Sequence, residues 1–217
     1  MTSIYAVYGA GGYGREVIPL LRDRIRDGAS LYFVVDDNIP NQTVNGHSVI
    51  SYDEFCQFPA DEKYFTVAIA DSDIRSRIFT RCRDAGFKPY SLSANNVVIM
   101  DNVTLGDGAI LSPFSCLTSN IRIGVCFHAN LYSYVGHDCQ IGDFVTLAPG
   151  VKCNGNVVIE DHAYIGAGAI IKPGTRDNPT IIGRGAKIGM GAVVIQNVPA
   201  GAQVFGNPAR SFAMAKS

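Results

Sequence analysis

The feature that most constrains this chain is a period of six residues that runs from Leu105 to Ile171 without a slip. Neither the 3.6-residue period of an α-helix nor the two-residue period of a β-strand produces a strict six. A coil with three short flat faces does, because each face and its corner use about six residues and stacked coils bury one aliphatic side chain per face. Every sixth residue from Leu105 onwards is apolar. These residues are Leu105, Leu111, Leu117, Ile123, Ala129, Val135, Ile141, Leu147, Cys153, Ile159, Ile165 and Ile171.

The repeat is interrupted once. Pro173 and Gly174 break the pattern, the stretch 175–180 (TRDNPT) is polar, and the hexads resume out of step at Ile182. Because the core positions stay apolar on both sides, we expect the extra residues to leave the coils as an exposed loop.

The first 95 residues follow another pattern, in which apolar runs alternate with amphipathic stretches. Residues 3–8 end in the glycine-rich motif GAGGYG (9–14), and an amphipathic stretch follows, which predicts a strand, a tight turn and a helix. Two further strand–helix pairs are predicted before residue 93. The alternation indicates a small parallel sheet with flanking helices. We therefore predict an α/β, Rossmann-like domain over 1–95 and a parallel β-helix domain with a C-terminal cap over 96–217.

Composition excludes several classes of protein. The net charge is −1 and 17% of the residues are charged, so no basic surplus favours binding to nucleic acid. No apolar run reaches the roughly 18 residues of a membrane span. The six cysteines form no CxxC pair, which favours reduced thiols in a cytoplasmic protein over disulfides or a metal site. No residue is assigned to a metal.

Several motifs together resemble a known family. The hexads look like those of left-handed parallel β-helix acyltransferases, and the order of the two halves is similar to NeuD/PglD-type sugar acetyltransferases. The motifs are GAGGYG, the DD at 36–37 after the second strand, VGHDCQIGDF at 135–144 and VFGNPAR at 204–210. The resemblance covers nearly the whole chain. It implies left-handed coils, a homotrimer and acetyl-CoA as the co-substrate.

His137 is the candidate catalytic residue. It falls in a column of turn residues that point away from the core, and it is followed by Asp138. By itself such a pair is usually a solvated turn, but the resemblance implies that His137 is the general base and Asp138 its partner. Acetyl transfer to an amine needs a proton acceptor, and imidazole titrates close to neutral pH. Since no Ser or Cys nucleophile is needed, we expect direct attack without an acyl-enzyme.

Four residues are expected to contact the acetyl donor. The family often carries a second histidine nine residues after the base, and here that position is Thr146. The resemblance implies backbone contacts at Ala167 and Met190. A glycine-rich corner such as Gly155 can expose N–H groups to an oxyanion.

The glycine-rich turn of the first domain has two interpretations. By default GAGGYG followed by acidic residues suggests a dinucleotide site, but the second half of a dinucleotide fold is absent. The resemblance implies instead a site for a nucleotide-linked sugar, formed by Gly11, Gly12, Tyr13, Asp36, Asp37 and Ala70.

These features predict an acetyl-CoA-dependent N-acetyltransferase that acts on a nucleotide-linked 4-amino-4,6-dideoxyhexose, as in the synthesis of O-antigen. The TRDNPTIIG stretch (175–183) favours perosamine- or viosamine-type relatives. Two alternatives stay open, namely O-acetylation of a sialic acid-type sugar and a non-catalytic scaffold or nucleotide sensor. The sequence does not identify the nucleotide.

Overall fold

The computed structural model describes residues 2–25, 28–37 and 42–211. The chain divides into two compact units. One runs to Leu92 and includes Asp107–Ala109, and the other comprises Ser93–Gly106 and continues from Ile110. Within the described ranges, no helix has the length and apolar character needed to span a membrane.

The first unit contains a six-stranded sheet in the order β3-β4-β2-β1-β5-β6. The pairs among β4, β2, β1, β5 and β6 are parallel, and β3 pairs with β4 as an antiparallel hairpin. The elements are β1 (Ser3–Tyr8), α1 (Gly12–Arg22), β2 (Ser30–Val35), β3 (Thr43–Val44), β4 (His47–Ser51), α2 (Tyr52–Gln57), β5 (Glu62–Val67), α3 (Ser72–Asp84) and β6 (Lys88–Pro89). The predicted alternation of strands and helices around a parallel sheet is present.

Local signals explain where the helices of this unit begin. Ser51 caps α2 in a capping box with Glu54, whose carboxylate accepts from the Ser51 N–H at 2.7 Å. The Asp71 carboxylate caps α3 by accepting from the N–H groups of Asp73 and Ile74. Because β1, β2, β4 and β5 are parallel, the segments that follow them all lie at one edge of the sheet.

The second unit is a parallel β-helix with three sheets, which we call faces 1, 2 and 3. Face 1 has the order β25-β24-β22-β19-β16-β13-β10-β7, face 2 the order β23-β20-β17-β14-β11-β8, and face 3 the order β21-β18-β15-β12-β9. The strands are β7 (Leu92–Ser93), β8 (Val98–Ile99), β9 (Val103–Leu105), β10 (Ile110–Leu111), β11 (Cys116–Leu117), β12 (Ile121–Ile123), β13 (His128–Ala129), β14 (Tyr134–Val135), β15 (Gln140–Ile141), β16 (Thr146–Leu147), β17 (Lys152–Cys153), β18 (Val157–Ile159), β19 (Tyr164–Ile165), β20 (Ile170–Ile171), β21 (Thr180–Ile182), β22 (Lys187–Ile188), β23 (Val193–Val194), β24 (Gln203–Phe205) and β25 (Arg210–Ser211).

The hexad period is confirmed in the pairing of the strands. Ile123 pairs with Ile141 and Ile141 with Ile159, each 18 residues further on, and all three are buried. The next partner of Ile159 is Ile182, which lies 23 residues away, five more than a regular coil. The extra residues form the predicted loop, since residues 175–178 are exposed. The part of the predicted cap beyond residue 211 lies outside the described residues.

Each coil turns three corners, and these corners hold side chains outside the core. The His137 corner joins faces 2 and 3, the His162 corner joins faces 3 and 1, and the Ala167 corner joins faces 1 and 2. At the His137 corner the left-handed positions fall every 18 residues on Asn102, Asn120, Asp138 and Asn156, with φ of 56°, 61°, 59° and 54°. Asn and Asp tolerate this conformation better than other non-glycine residues. Asp138 therefore also suits the turn itself.

Candidate active site

His137 and Asp138 form a side-chain pair at the surface of the β-helix. The Nδ1 atom of His137 lies 2.7 Å from Oδ2 of Asp138, and the two side chains are 62% and 49% exposed. A carboxylate can only accept from Nδ1, so this contact favours the tautomer in which Nδ1 carries the proton. The Nε2 atom is then left with its lone pair free to accept a proton from a substrate.

The His137 ring lies directly over Gly155, and we call this glycine the seat of the ring. A Cβ atom on Gly155 would lie 2.5 Å from Nε2 and 2.6 Å from Cε1 of His137, so the imidazole occupies the space of the missing side chain. The backbones are joined as well, because the N–H of Asn156 donates to the His137 carbonyl at 2.8 Å. The ring is therefore oriented by Asp138 on one side and by the next coil on the other.

Asn154 fixes the backbone that carries this glycine. Its amide oxygen accepts from the Tyr134 hydroxyl at 2.8 Å, and its amide nitrogen donates to the carbonyl of Ile171 at 2.7 Å. The Asn154 side chain thus ties the coil of His137 to the two coils that follow it. The seat under the imidazole is part of the rigid stack of coils rather than a free loop.

The residues expected to contact the acetyl donor do not gather at His137. Gly155 lies directly under its ring, but Ala167 and Met190 lie at the Ala167 corner, where the Gly191 N–H donates to the Ala167 carbonyl at 2.8 Å. The cause is the hexad register, since residue 167 comes two hexads after residue 155 and so falls on a different corner. Thr146 lies in β16 and is only 3% exposed. A contact between Thr146 and a donor stays a prediction.

The glycine-rich motif lies at the carboxyl edge of the parallel sheet. Gly11 is the N-cap of α1, and both Gly11 and Gly12 are exposed, while Tyr13 is half-buried. Gly14 has a structural role, because a Cβ atom there would collide with the Gly9 carbonyl oxygen. The absence of that side chain lets α1 pack closely against the end of β1.

Asp36 lies at the same edge, in a polar cluster that the sequence did not reveal. Its Oδ1 atom accepts from the Tyr8 hydroxyl and, at 2.5 Å, from the Arg81 guanidinium, which also lies 4.0 Å from the centre of the Tyr52 ring. Burial acts to raise the pKa of Asp36, but the hydrogen bonds from Tyr8 and Arg81 outweigh it and lower the pKa. Asp36 is therefore a charged carboxylate with one oxygen already engaged, and Asp37 beside it is exposed.

Ala70 follows β5 at this edge and is exposed. The guanidinium of the fully buried Arg75 donates to the carbonyls of Ile69 and Ala70, at 2.8 and 3.2 Å. The loop that presents Ala70 is thus fixed from inside the unit. The structure brings the residues predicted to bind the sugar nucleotide to one edge of the sheet, and it adds Tyr8, Tyr52 and Arg81 to them.

Sequence comparison finds relatives for both halves of the chain. Residues 5–82 match the family model described as the PglD N-terminal domain. The GDP-perosamine N-acetyltransferase of Escherichia coli O157:H7 is 52% identical over 211 residues, which are 96% of this chain and 96% of that protein.

Two solved structures extend the similarity to three dimensions. WeeI from Acinetobacter baumannii AYE has a TM-score of 0.94 and 52% identity, over 97% of this chain and 100% of that one. A histidine-to-alanine mutant of GDP-perosamine N-acetyl transferase from Caulobacter crescentus, in complex with CoA and GDP-perosamine, has a TM-score of 0.84 and 25% identity, over 96% of each chain.

Proposed function

This chain belongs to the PglD-type family of sugar N-acetyltransferases, which includes GDP-perosamine N-acetyltransferase, and we propose that it acetylates the 4-amino group of a nucleotide-linked 4-amino-4,6-dideoxyhexose. Acetyl-CoA is the donor. The observation that carries the proposal is the 52% identity to the Escherichia coli enzyme over 96% of both chains. The Caulobacter crescentus relative holds CoA and GDP-perosamine, so GDP-perosamine is the first acceptor to test.

His137 acts as the general base in this proposal. The amine nitrogen of the sugar attacks the thioester carbonyl of acetyl-CoA, and Nε2 of His137 takes the proton that the nitrogen loses. The tetrahedral intermediate then collapses, the C–S bond breaks, and the imidazolium returns the proton to the CoA thiolate. The Asp138 carboxylate keeps Nδ1 protonated and stabilises the imidazolium. The backbone N–H of Gly155 stabilises the oxyanion, since the N–H of Asn156 already donates to the His137 carbonyl.

The domain that we assign to residues 1–95, a Rossmann-like domain, binds the nucleotide of the acceptor. Open parallel sheets bind ligands at the carboxyl ends of their strands, which is the edge that presents Gly11, Gly12 and Asp36. Asp37, Tyr13 and Ala70 complete this site. The domain that we assign to residues 96–217, a left-handed β-helix with a C-terminal cap, carries the transfer reaction.

The enzyme works as a homotrimer with His137 at a subunit interface. The proposal rests on the separation of the donor contacts, because Ala167 and Met190 lie at a different corner from His137 and a second copy of the chain would bring such a corner opposite. Light scattering should give the mass of a trimer, and the mass of a monomer would refute this part. All six cysteines are free thiols, which suits an enzyme of the cytoplasm.

One assay tests the function directly. CoA release is measured with acetyl-CoA and a panel of GDP-, dTDP- and UDP-linked 4-amino-4,6-dideoxy sugars, and the product is analysed for an amide or an ester. We expect the fastest release with the GDP-linked sugar and an acetylated amine in the product. An ester product would favour the O-acetyltransferase alternative. Absence of CoA release with every sugar would contradict the proposal and favour a scaffold or sensor.

A further inference from the structure

A cleft of about 610 Å³ opens on the β-helix beside the catalytic pair. The Asp138 side chain forms part of its wall, and the other polar groups around it come from face 3, from the His137 corner and from the inserted loop. They include Arg122, Gln140, Asn156, Thr175 and Arg176. Apart from Asp138, none of these residues takes part in the proposed transfer step, so their role in the cleft is unassigned.

The inserted loop leaves the β-helix at the His137 corner. Just before the loop, the Gly174 N–H donates to the carbonyl of Gly155 at 3.1 Å, and just after it the Thr180 N–H donates to the carbonyl of Asn156 at 3.2 Å. Both ends of the loop are therefore fastened to the coil on which the His137 ring rests. Since neighbouring strands are about 4.8 Å apart, the loop starts within roughly 10 Å of the catalytic coil.

Hydrogen bonds between Thr175 and Asn178 close the inserted loop into a turn, which holds the backbone of Arg176. The N–H of Thr175 donates to the carbonyl of Asn178 at 3.0 Å, and the N–H of Asn178 donates back to the Thr175 carbonyl at 3.2 Å and to its hydroxyl at 3.1 Å. Arg176 lies inside this turn and is exposed. These hydrogen bonds hold the backbone of Arg176 on the rim of the cleft, and its side chain lies exposed within reach of the cleft.

The charge around the cleft favours an anionic ligand. Arg122 and Arg176 contribute two positive charges and Asp138 one negative charge, and the Asp138 carboxylate is turned towards His137. Three arginines of the described residues pair with a carboxylate, and one of them is Arg184, which lies 2.5 Å from Asp161. Among the residues that the structure describes, no ion pair is recorded for Arg122 or Arg176. Two guanidinium groups with amide donors nearby suit a phosphate, which arginine binds with paired N–H groups.

We propose that Arg122 and Arg176 bind a phosphate group of one of the two substrates while the reacting end of that substrate lies at His137. The inserted loop then binds substrate and is not an extension of the coil without a function. The inference rests on the proposed function, because both acetyl-CoA and a nucleotide-linked sugar carry a diphosphate. The two arginines hold and orient the substrate and take no part in the proton transfer.

The test measures steady-state kinetics of Arg122→Ala and Arg176→Ala, with each substrate varied in turn at saturation of the other. We expect KM for one substrate to rise about tenfold, because one charge-assisted hydrogen bond is lost. The kcat should stay within about twofold of the parent. The substrate whose KM rises identifies the source of the phosphate. Arg176→Lys should recover part of the loss, since it keeps the charge without the paired donors.

Arg184→Ala is the matched control, because it removes an arginine of the same unit that already has a carboxylate partner. Its KM values should stay within about twofold of the parent. Inorganic pyrophosphate serves as a second probe and should compete with the same substrate in the parent enzyme but more weakly in Arg176→Ala. An active parent enzyme whose KM values are unchanged in both arginine variants would overturn this inference alone. A parent enzyme without any transfer activity would instead refute the proposed function.

Discussion

Two corners of the β-helix pair a histidine with an aspartate, and the proposed general base lies at only one of them. At the His137 corner the histidine comes first and the aspartate takes the left-handed position, with φ of 59°. At the His162 corner the order is reversed, so Asp161 comes first and His162 takes the left-handed position, with φ of 61°. The same two residue types therefore exchange places in the turn.

The exchange changes what each side chain contacts. Asp161 reaches back to the preceding coil, where it accepts from the Asp143 N–H at 2.9 Å, and it also pairs with Arg184. His162 stacks on Phe144, with ring centres 5.2 Å apart. At the other corner His137 reaches forward over Gly155, and its ring contacts Asp138. Both side chains at the first position of a corner lie over a glycine, Asp161 over Gly142 of the preceding coil and His137 over Gly155 of the following coil.

The largest effect is expected when the two histidines are removed in turn. His137→Ala should lower kcat by about 10²- to 10⁴-fold, because the general base is lost. His162→Ala should leave kcat within about twofold of the parent, since the proton transfer uses no group at that corner. Steady-state CoA release measures both. Equal losses of kcat in the two variants would show that the order of residues in the corner does not matter.

A smaller effect is expected from the glycine beneath the ring. Gly155→Ala places a methyl group where the His137 imidazole lies and should lower kcat by about 10- to 100-fold, since a displacement of about 1 Å can have this effect. Its unfolding temperature should change little, because the exposed ring can turn away. The kcat of this variant and its thermal unfolding are measured together.

Gly185→Ala is the matched control at the His162 corner. Gly185 has a φ of 65°, and a Cβ atom there would meet open space. The substitution should lower the free energy of unfolding by about 1–2 kcal/mol and leave kcat unchanged. If Gly155→Ala instead lowered the free energy of unfolding and kept its kcat, Gly155 would be needed for the turn and not for the position of the His137 ring.

The smallest effect is expected from the two aspartates. Asp138→Asn should lower kcat by no more than about fivefold, because the pair is half exposed and such pairs contribute about 0–1 kcal/mol. Asn suits the turn, as Asn120 and Asn156 show one coil away on either side. Asp161→Asn should leave kcat unchanged and weaken the contact with Arg184, which urea unfolding can measure. A larger kcat loss in Asp161→Asn than in Asp138→Asn would reverse the assignment.

The sequence predicted the β-helix well because its core obeys a local rule. One apolar residue every six positions defines the buried columns, the 18-residue coil and the point where the loop leaves, as the pairing of Ile159 with Ile182 confirms. The seat at Gly155 was harder to predict, because it depends on the direction in which one side chain turns between coils. The six-residue period does not predict whether the side chain of His137 turns towards the preceding or the following coil.

The cluster around Asp36 was beyond prediction for another reason. Tyr8 ends β1, Asp36 follows β2 and Arg81 lies in α3, so the first two are 28 positions apart in the sequence and the last two 45. Arg81 lies in the last turn of α3, where basic residues are common, so the sequence gives no sign that it contacts Asp36. The parallel pairing of β1 with β2 brings Tyr8 and Asp36 together, and the packing of α3 against the sheet brings Arg81 to them.

In the proposed mechanism the imidazole of His137 accepts the proton of the attacking amine, and chemical rescue with free imidazole tests this role. In His137→Ala the space above Gly155 is empty, so free imidazole can occupy it. CoA release is followed at saturating substrates while the imidazole concentration is raised. We predict a low initial rate that rises with imidazole, while His162→Ala does not respond. A rate near that of the parent without imidazole, or a low rate that imidazole never raises, would contradict the claim.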